Sequence, residues 1–201
     1  MTMPDLEPRS NTAEQILDIA EMLIQTRGYS AFSYQDISDV LGIRKASIHY
    51  HFPSKTDLGV AVIERYGNRF ARALDEIAGD PAASSLTMLD FYISPYFQNA
   101  TTRDRVCLCG ALAGEMMALP EEMRIAVDRI FVSHQVWLGD ILRRGVDRGE
   151  FTLTTTAEKA ARLIFGALQG ALLVKRTTAD ESQFRDVVTG LKLYLGASAS
   201  A

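Results

Sequence analysis

The sequence predicts an all-α protein, and three observations carry this prediction. Apolar residues recur at every third or fourth position through most of the chain, which is the spacing of one helix face. Glycine, proline and serine residues interrupt this spacing at intervals that suit helices rather than strands. The β-prone stretch 152–156 is short and has no partner strand, so we expect it to be a loop.

Four helices are predicted in the N-terminal part of the chain. Gly28 and Gly42 are natural ends of the first two helices, because glycine readily adopts the left-handed conformation that follows a helix. Pro53 breaks the chain after the third helix, and Ser54 can cap the fourth. We expect these helices at about 12–28, 33–42, 45–51 and 54–77.

Five further helices follow the turn signal Gly79-Asp80-Pro81. Pro95 lies inside the first of them and should kink or interrupt it, because proline cannot donate the backbone hydrogen bond. We expect these helices at about 84–99, 103–118, 121–148, 156–176 and 181–195. The chain then divides into a domain at 1–53 and a larger domain at 54–201.

The composition is that of a folded globular protein without an overall excess of positive charge. The 201 residues are 47% apolar and 23% charged, enough to bury a core without a metal or a disulfide. With 21 basic and 25 acidic residues the formal net charge is −4, so any affinity for nucleic acid must come from a local patch.

The number of cysteines and the length of the apolar runs indicate in which cellular compartment the protein resides. The two cysteines, Cys107 and Cys109, cannot form the framework of a small secreted protein and indicate a reducing environment. No apolar run approaches the roughly 18 residues that span a bilayer, and the start of the chain lacks the apolar core of a signal peptide. We therefore expect a cytoplasmic protein that does not bind membranes.

Residues 33–55 form the segment most informative about function. Two short helices separated by Gly42 make a helix-turn-helix, and no carboxylate lies between Val40 and Ser54. A plain helical hairpin with a solvated polar face has the same periodicity. A DNA-recognition helix, however, needs a face of small, basic and aromatic residues. The outward face of the second helix consists of Arg44, Lys45, Ala46, Ser47, His49, Tyr50 and His51.

The same region resembles the N-terminal domain of TetR/AcrR-family transcriptional regulators. The resemblance covers residues 12–66 and includes 28–33 (GYSAFS), Asp36-Ile37, 41–43 (LGI) and 48–58 (IHYHFPSKTDL). It implies a repressor that binds a palindromic DNA operator. It further implies base-edge contacts by Ala46, Ser47, His49 and His51, and phosphate contacts by Ser33, Tyr34, Lys45, Tyr50 and Lys55.

Two positions depart from the family pattern. Arg44 stands where a small capping residue is usual, so either the cap is lost or Arg44 reaches a base or a phosphate. His49 stands where tyrosine is common, which changes the chemistry of that base contact.

The resemblance also implies that the C-terminal helices form a homodimer and enclose a small-molecule effector. Helix 156–176 is apolar around most of its circumference, so it needs two packing partners, and with helix 181–195 it suits a four-helix dimer interface. Aromatic and thioether side chains favour a small apolar or aromatic ligand. The candidate ligand residues are Met88, Phe91, Tyr92, Cys107, Met116, Phe131, His134, Trp137, Phe165 and Gln169.

The two cysteines support an alternative in which thiol chemistry replaces a reversible ligand. On a continuous helix 103–118, Cys107 and Cys109 would be separated by about 200° and face opposite ways. Arg103, Arg105 and the start of the helix would lower the pKa of Cys107. The bland interpretation is that both are small buried apolar residues. A stretch like 107–115 occurs in a subset of the family.

A more remote alternative is a small α-helical enzyme. The three histidines are His49, His51 and His134, and two of them lie in the predicted recognition helix. The sequence has no phosphate-binding glycine loop and no nucleophile paired with a base. We therefore expect no catalytic residues, no metal and no cofactor.

Overall fold

The computed structural model describes residues 12–102 and 104–196, and it confirms the all-α prediction. The described segments fold into helices joined by turns and loops, and stretch 152–156 is a loop as expected. The helices are α1 (Thr12–Arg27), α2 (Tyr34–Leu41), α3 (Lys45–His51), α4 (Lys55–Gly79), α5 (Ser85–Thr101), α6 (Leu108–Gly114), a 3-10 turn (Met116–Ala118), α7 (Glu121–Asp147), α8 (Ala157–Thr178) and α9 (Glu181–Tyr194).

The predicted helix 103–118 is wrong, because the described residues form a loop, the short helix α6 and a 3-10 turn. The amide of Val106 donates to the carbonyl of Gln25 at 3.3 Å instead of to its own segment. This bond to α1 holds the chain extended just before α6. Tertiary contact with a distant helix has therefore overridden the local helical pattern.

Of the two effects expected of Pro95, a kink or an interruption, the interruption is absent, because α5 continues through this residue. Proline leaves the carbonyl of Phe91 without its helical donor. The hydroxyl of Ser94 donates to that carbonyl at 2.9 Å, which compensates for the missing N–H.

Helix α4 is the structural link between the N-terminal and C-terminal helices. It packs against α1 on one side and against α5 and α7 on the other, with Leu58, Val62 and Tyr66 buried. Its start is defined by Ser54, whose side chain and backbone form a reciprocal capping box with Asp57. None of the described helices is long and apolar enough to cross a membrane.

Candidate nucleic-acid interface and effector site

A tight turn sets the angle between α2 and α3. Gly42 has φ of 66°, a left-handed conformation, and its amide donates to the carbonyl of Ser38 at 2.9 Å. The hydroxyl of Ser38 donates to the carbonyl of Ile43 at 2.6 Å, which closes the turn from the other side. Ile37 and Ile48 are fully buried beneath the pair. The helix-turn-helix is thus held by one core and one rigid turn.

The face of α3 opposite Ile48 is exposed and carries no carboxylate. Exposed side chains on and just before α3 are Arg44, Lys45, Ala46, Ser47, His49 and Tyr50, while His51 is half-buried. Tyr50 is 84% exposed, unusually open for an aromatic residue. Basic, small and aromatic groups therefore project together from one short helix, as direct reading of a DNA groove requires.

Arg44 precedes α3 and makes no capping hydrogen bond with its side chain. Of the two outcomes left open by the sequence, the cap is therefore lost. The price is a weaker helix start, typically about 1 kcal/mol relative to a serine or aspartate cap. The exposed guanidinium beside α3 remains a candidate DNA contact.

His49 is fixed in one orientation on α3. Its Nδ1 lies 3.2 Å from the carbonyl oxygen of Pro53, and its ring packs edge-on against Tyr34 with centroids 4.7 Å apart. A carbonyl oxygen only accepts, so Nδ1 carries the proton and donates. In the neutral ring Nε2 is then an acceptor.

Three residues assigned to phosphate contacts use their donors inside the protein. The buried hydroxyl of Tyr34 donates to the carbonyl of Phe52 at 2.8 Å, and burial raises the pKa of Tyr34 to about 12. The hydroxyl of Ser33 donates to Asp36 at 2.8 Å within a capping box. The ammonium of Lys55 donates to the carbonyls of Tyr29 and Phe32. This geometry therefore does not support their phosphate contacts.

Lys55 is half-buried beneath the loop that joins α1 to α2. Its Nζ donates to the carbonyls of Tyr29 at 2.6 Å and Phe32 at 2.5 Å, and it lies 4.4 Å from the centroid of each of those rings. Burial lowers the pKa of Lys55 from its usual value. Lys55, which belongs to the family-like stretch 48–58, therefore stabilises the loop between α1 and α2.

A chain of buried polar groups crosses the C-terminal helices. The hydroxyl of Tyr92 on α5 lies 2.8 Å from Nδ1 of His134 on α7 and 3.4 Å from the hydroxyl of Tyr96. The amide of Gln169 on α8 donates to the hydroxyl of Tyr96 at 3.3 Å and to the sulfur of Cys107 at 3.5 Å. These contacts connect three helices and the loop before α6.

The chain of polar groups ends on α4, where the hydroxyl of Tyr66 lies 3.5 Å from the sulfur of Cys107. Burial lowers the pKa of His134 to about 4, so this ring is neutral. Burial likewise raises the pKa of Tyr66, Tyr92 and Tyr96. These buried histidine and tyrosine side chains are therefore hydrogen-bonded and neutral at neutral pH.

The two cysteines contact each other, so the prediction that they face opposite ways is wrong. Cys107 precedes the first turn of α6 and is not helical, and the thiol of Cys109 is hydrogen-bonded to it. That bond, with help from Gln169 and Tyr66, lowers the pKa of Cys107 against the opposing effect of burial. The predicted direction is right, and the backbone amide of Gly110 at the start of α6 adds to these hydrogen bonds, whereas Arg103 lies outside the described residues. Both thiols are free and buried.

The candidate ligand residues are dispersed among the core, one cavity and the surface. His134 and Trp137 line a cavity of about 250 Å³ against α4. Met88 packs in a separate small cluster with Ala83 and Ile141, while Phe91 is 39% exposed. Those packed in or against the main core are Tyr92, Cys107, Met116, Phe131, Phe165 and Gln169.

Phe70 is a cavity residue that is not among the ligand residues predicted from the sequence. It stacks on His134 with ring centroids 4.6 Å apart and lines both the 250 Å³ cavity and a second cavity of about 360 Å³. The signal was available, because Phe70 belongs to the apolar stripe of α4. That periodicity does not distinguish a core residue from a cavity wall. Among the described residues no group of three or more histidine, cysteine or acidic side chains could hold a metal.

Helix α8 has an exposed apolar face. Leu163, Leu173 and Val174 are each more than 40% exposed, and a Cβ added at Gly166 or Gly170 would meet nothing within 4 Å. On α9, which packs against α8, Leu193 is 73% exposed. An apolar face of this kind on adjacent helices is typical of a protein–protein interface.

Two family models match the chain. One, described as bacterial regulatory proteins of the tetR family, matches residues 16–62, which contain α2 and α3. The other, described as a tetracyclin repressor-like C-terminal domain, matches residues 88–191, more than half of the chain.

Solved structures and curated proteins agree with these matches. A TetR transcriptional regulator from Legionella pneumophila has a TM-score of 0.85 and 32% identity, covering 94% of this chain and 100% of that chain. One from Agrobacterium tumefaciens has a TM-score of 0.84 and 36% identity, covering 90% and 96%. An HTH-type transcriptional regulator of Lactococcus lactis is 30% identical over 85% of this chain and 86% of its own length. The chain therefore belongs to the TetR family of bacterial transcriptional regulators.

Proposed function

We propose that this regulator is a homodimeric repressor that binds a palindromic operator and releases it when a small apolar or aromatic molecule binds. Residues 1–53 read the DNA, and residues 54–201 form the dimer and hold the effector. The observation that carries the proposal is the exposed, carboxylate-free face of α3, held by the left-handed turn at Gly42. We propose no catalytic activity.

The exposed apolar face of α8 and α9 supports the dimer. A two-fold dimer through this face gives two recognition helices, so half-sites lie about one helical turn, or a multiple of it, apart. A single seven-residue α3 reads too few bases for specificity on its own. The palindrome supplies the rest.

Contacts between the two halves provide the route from effector to DNA. The carboxylate of Glu115 accepts from the amide of Ser30 at 2.8 Å, and Arg176 on α8 donates to the carbonyl of Thr26 at 2.7 Å. Together with α4, they connect the DNA-reading helices to α6 and α8. An effector lowers operator affinity if it binds more tightly to a conformation in which these contacts have shifted. The loss of affinity cannot exceed the effector's preference for that conformation over the DNA-bound one.

The test is selection of bound duplexes from a random pool, followed by footprinting upstream of the protein's own gene. We expect enrichment of a palindrome with two half-sites, and wild-type protein that sediments as a dimer at micromolar concentration. Arg44→Ala, which leaves the fold contacts intact, should weaken binding. Equal recovery of all sequences, or a monomer at that concentration, contradicts the proposal.

A second candidate trigger is thiol chemistry at Cys107, favoured by its contact with Cys109 and its lowered pKa. A peroxide would oxidise the thiolate to a sulfenic acid, and attack by Cys109 would then form a disulfide and release water. The double variant Cys107→Ser with Cys109→Ser separates the two triggers. If an oxidant still releases this variant from the operator, the thiols are not the trigger. If the oxidant no longer does so and no neutral compound does either, the reversible ligand is excluded.

A further inference from the structure

A cavity of about 360 Å³ lies where the DNA-reading half meets the effector half. Its walls come from α1, α4, α5 and the loop before α6. It shares Phe70 with the cavity beside His134, on the other side of α4. Its volume is in the range of small-molecule sites. The residues that matter for its chemistry are Gln25, Arg69, Phe70, Pro95, Asn99 and Arg105.

Arg105 brings an uncompensated cation to this cavity. Its Nε is buried and has no hydrogen-bond partner among the described residues, and its guanidinium forms no ion pair with a described carboxylate. A buried donor without an acceptor is costly, and a charged one more so. The side chain of Arg105 is half-buried, and its buried Nε is a donor that an acceptor in this cavity could satisfy.

The neighbouring Arg65 and Arg69 both form ion pairs with carboxylates, although the Nε of Arg65, like that of Arg105, has no hydrogen-bond partner among the described residues. Arg69 donates to Glu21 at 2.8 Å, and Arg65 donates to the same carboxylate at 3.1 Å and pairs with Asp18 at 2.8 Å. Glu21 is thus already shared between two arginines. No ion pair joins it to Arg105 among the described residues, although Glu21 lines the same cavity.

The other walls define the rest of the ligand. Gln25 and Asn99 are buried polar side chains beside the apolar surfaces of Phe70 and Pro95. A planar guanidinium fork matches a carboxylate. A dianion such as phosphate would meet the carboxylate of Glu21. The chemistry fits a monocarboxylate with a short or flat apolar body.

We propose that the cavity is a binding site for an organic monocarboxylate, whose carboxylate pairs with Arg105 and whose apolar body packs on Phe70 and Pro95. The site differs from the candidate cavity beside His134. An occupant contacts α1 directly, and the residue after Arg105 donates its amide to Gln25 on α1 at 3.3 Å. A bound ligand therefore affects how α1 packs against α4. The further step, that this packing change alters operator affinity, rests on the proposed function.

The test is calorimetric titration of the full-length protein with benzoate and with its neutral isostere benzamide, extended to acetate, hexanoate and phenylacetate. We expect at least one carboxylate to bind and benzamide to bind about 10-fold or more weakly. Arg105→Gln should weaken carboxylate binding by about 10- to 100-fold, because it removes a charge-assisted pair. Arg72→Gln, an exposed arginine on α4 outside the cavity lining, should bind as the wild type does.

A second variant guards against a folding defect at Arg105. Ala73→Leu keeps every charge but fills part of the cavity, so it should weaken benzoate binding more than acetate binding. Three results would each overturn the proposal. They are no binding of any carboxylate at about 10 mM, equal affinity for benzamide and benzoate, or wild-type carboxylate affinity in Arg105→Gln. Operator binding is measured separately. Carboxylate binding without operator release keeps the site and refutes its regulatory role, and failure to bind DNA at all refutes the proposed function alone.

Discussion

The hydroxyl oxygen of Tyr92 lies 2.8 Å from Nδ1 of His134 in the interior of the C-terminal half. Both side chains are buried, and the Phe70 ring of α4 stacks on the imidazole at 4.6 Å. This pair places a neutral histidine against the helix that leads to the DNA-reading domain. A proton taken up by His134 would put an unpaired charge in that core.

Stability should therefore fall with acidification through His134. Its folded pKa is lowered to about 4, whereas the unfolded chain titrates near 6.5, so the unfolded state binds more protons between these values. The contribution is fully present above pH 6.5 and is lost as the pH falls towards 4. Between pH 7 and 5 we expect a loss of about 2 kcal/mol in the free energy of unfolding.

Urea unfolding at pH 7 and 5, at one protein concentration, measures this loss. His134→Gln should reduce the slope in this window, with the remainder due to the lowered pKa of Cys107, while His51→Gln on α3 should keep the wild-type slope. If His134→Gln retains the full slope, the histidine is not the group responsible.

Alanine variants of Lys55 and Lys45 should distinguish a structural lysine, Lys55, from a DNA-contacting lysine, Lys45. Lys55→Ala leaves the carbonyls of Tyr29 and Phe32 without their charged donor, so we expect a loss of about 2 kcal/mol in unfolding free energy. Exposed Lys45→Ala should leave stability unchanged within about 0.5 kcal/mol but lower the salt slope of operator binding by about one. A stable Lys55→Ala variant with a lowered slope would instead place its ammonium on a phosphate.

His49 should select a base that donates in the major groove. Its Nδ1 is committed to Pro53, so Nε2 accepts, and adenine or cytosine amino groups are the matching partners. His49→Ala should relax base preference at one position of each half-site. His49→Phe retains an aromatic ring to pack on Tyr34 but removes both ring nitrogens, so it separates the packing of the ring from its hydrogen bonds. Selections of equal stringency for wild type and both variants would remove His49 from base reading.

A charge on the exposed face of α8 should break the dimer. Gly170→Asp adds a side chain where a Cβ meets nothing within the protomer, so the fold is spared while the apolar face is disrupted. Sedimentation should show a monomer, and operator affinity should fall by about 100-fold or more because half the contacts are lost. Ala113→Asp, exposed on α6, is the control and should remain dimeric. A Gly170→Asp dimer would move the interface elsewhere.

The sequence by itself determined the all-α class, most helix bounds and the helix-turn-helix. These follow from local physics, because helix periodicity, serine caps and the left-handed turn at Gly42 depend on residues a few positions apart. The exposed face of α3 also follows from periodicity. Once Ile48 points inward, Ala46, Ser47 and His49 must point elsewhere.

Tertiary structure alone decided where polar groups find their partners. Lys55 bonds carbonyls 26 and 23 residues away, Gln169 bonds a thiol 62 residues away, and the amide of Val106 leaves its own segment for Gln25. That last bond is what turned a predicted helix into a loop and set Cys107 beside Cys109. Hydrogen-bond partners distant along the chain leave no periodic trace in a sequence, because only the packed helices bring them within reach.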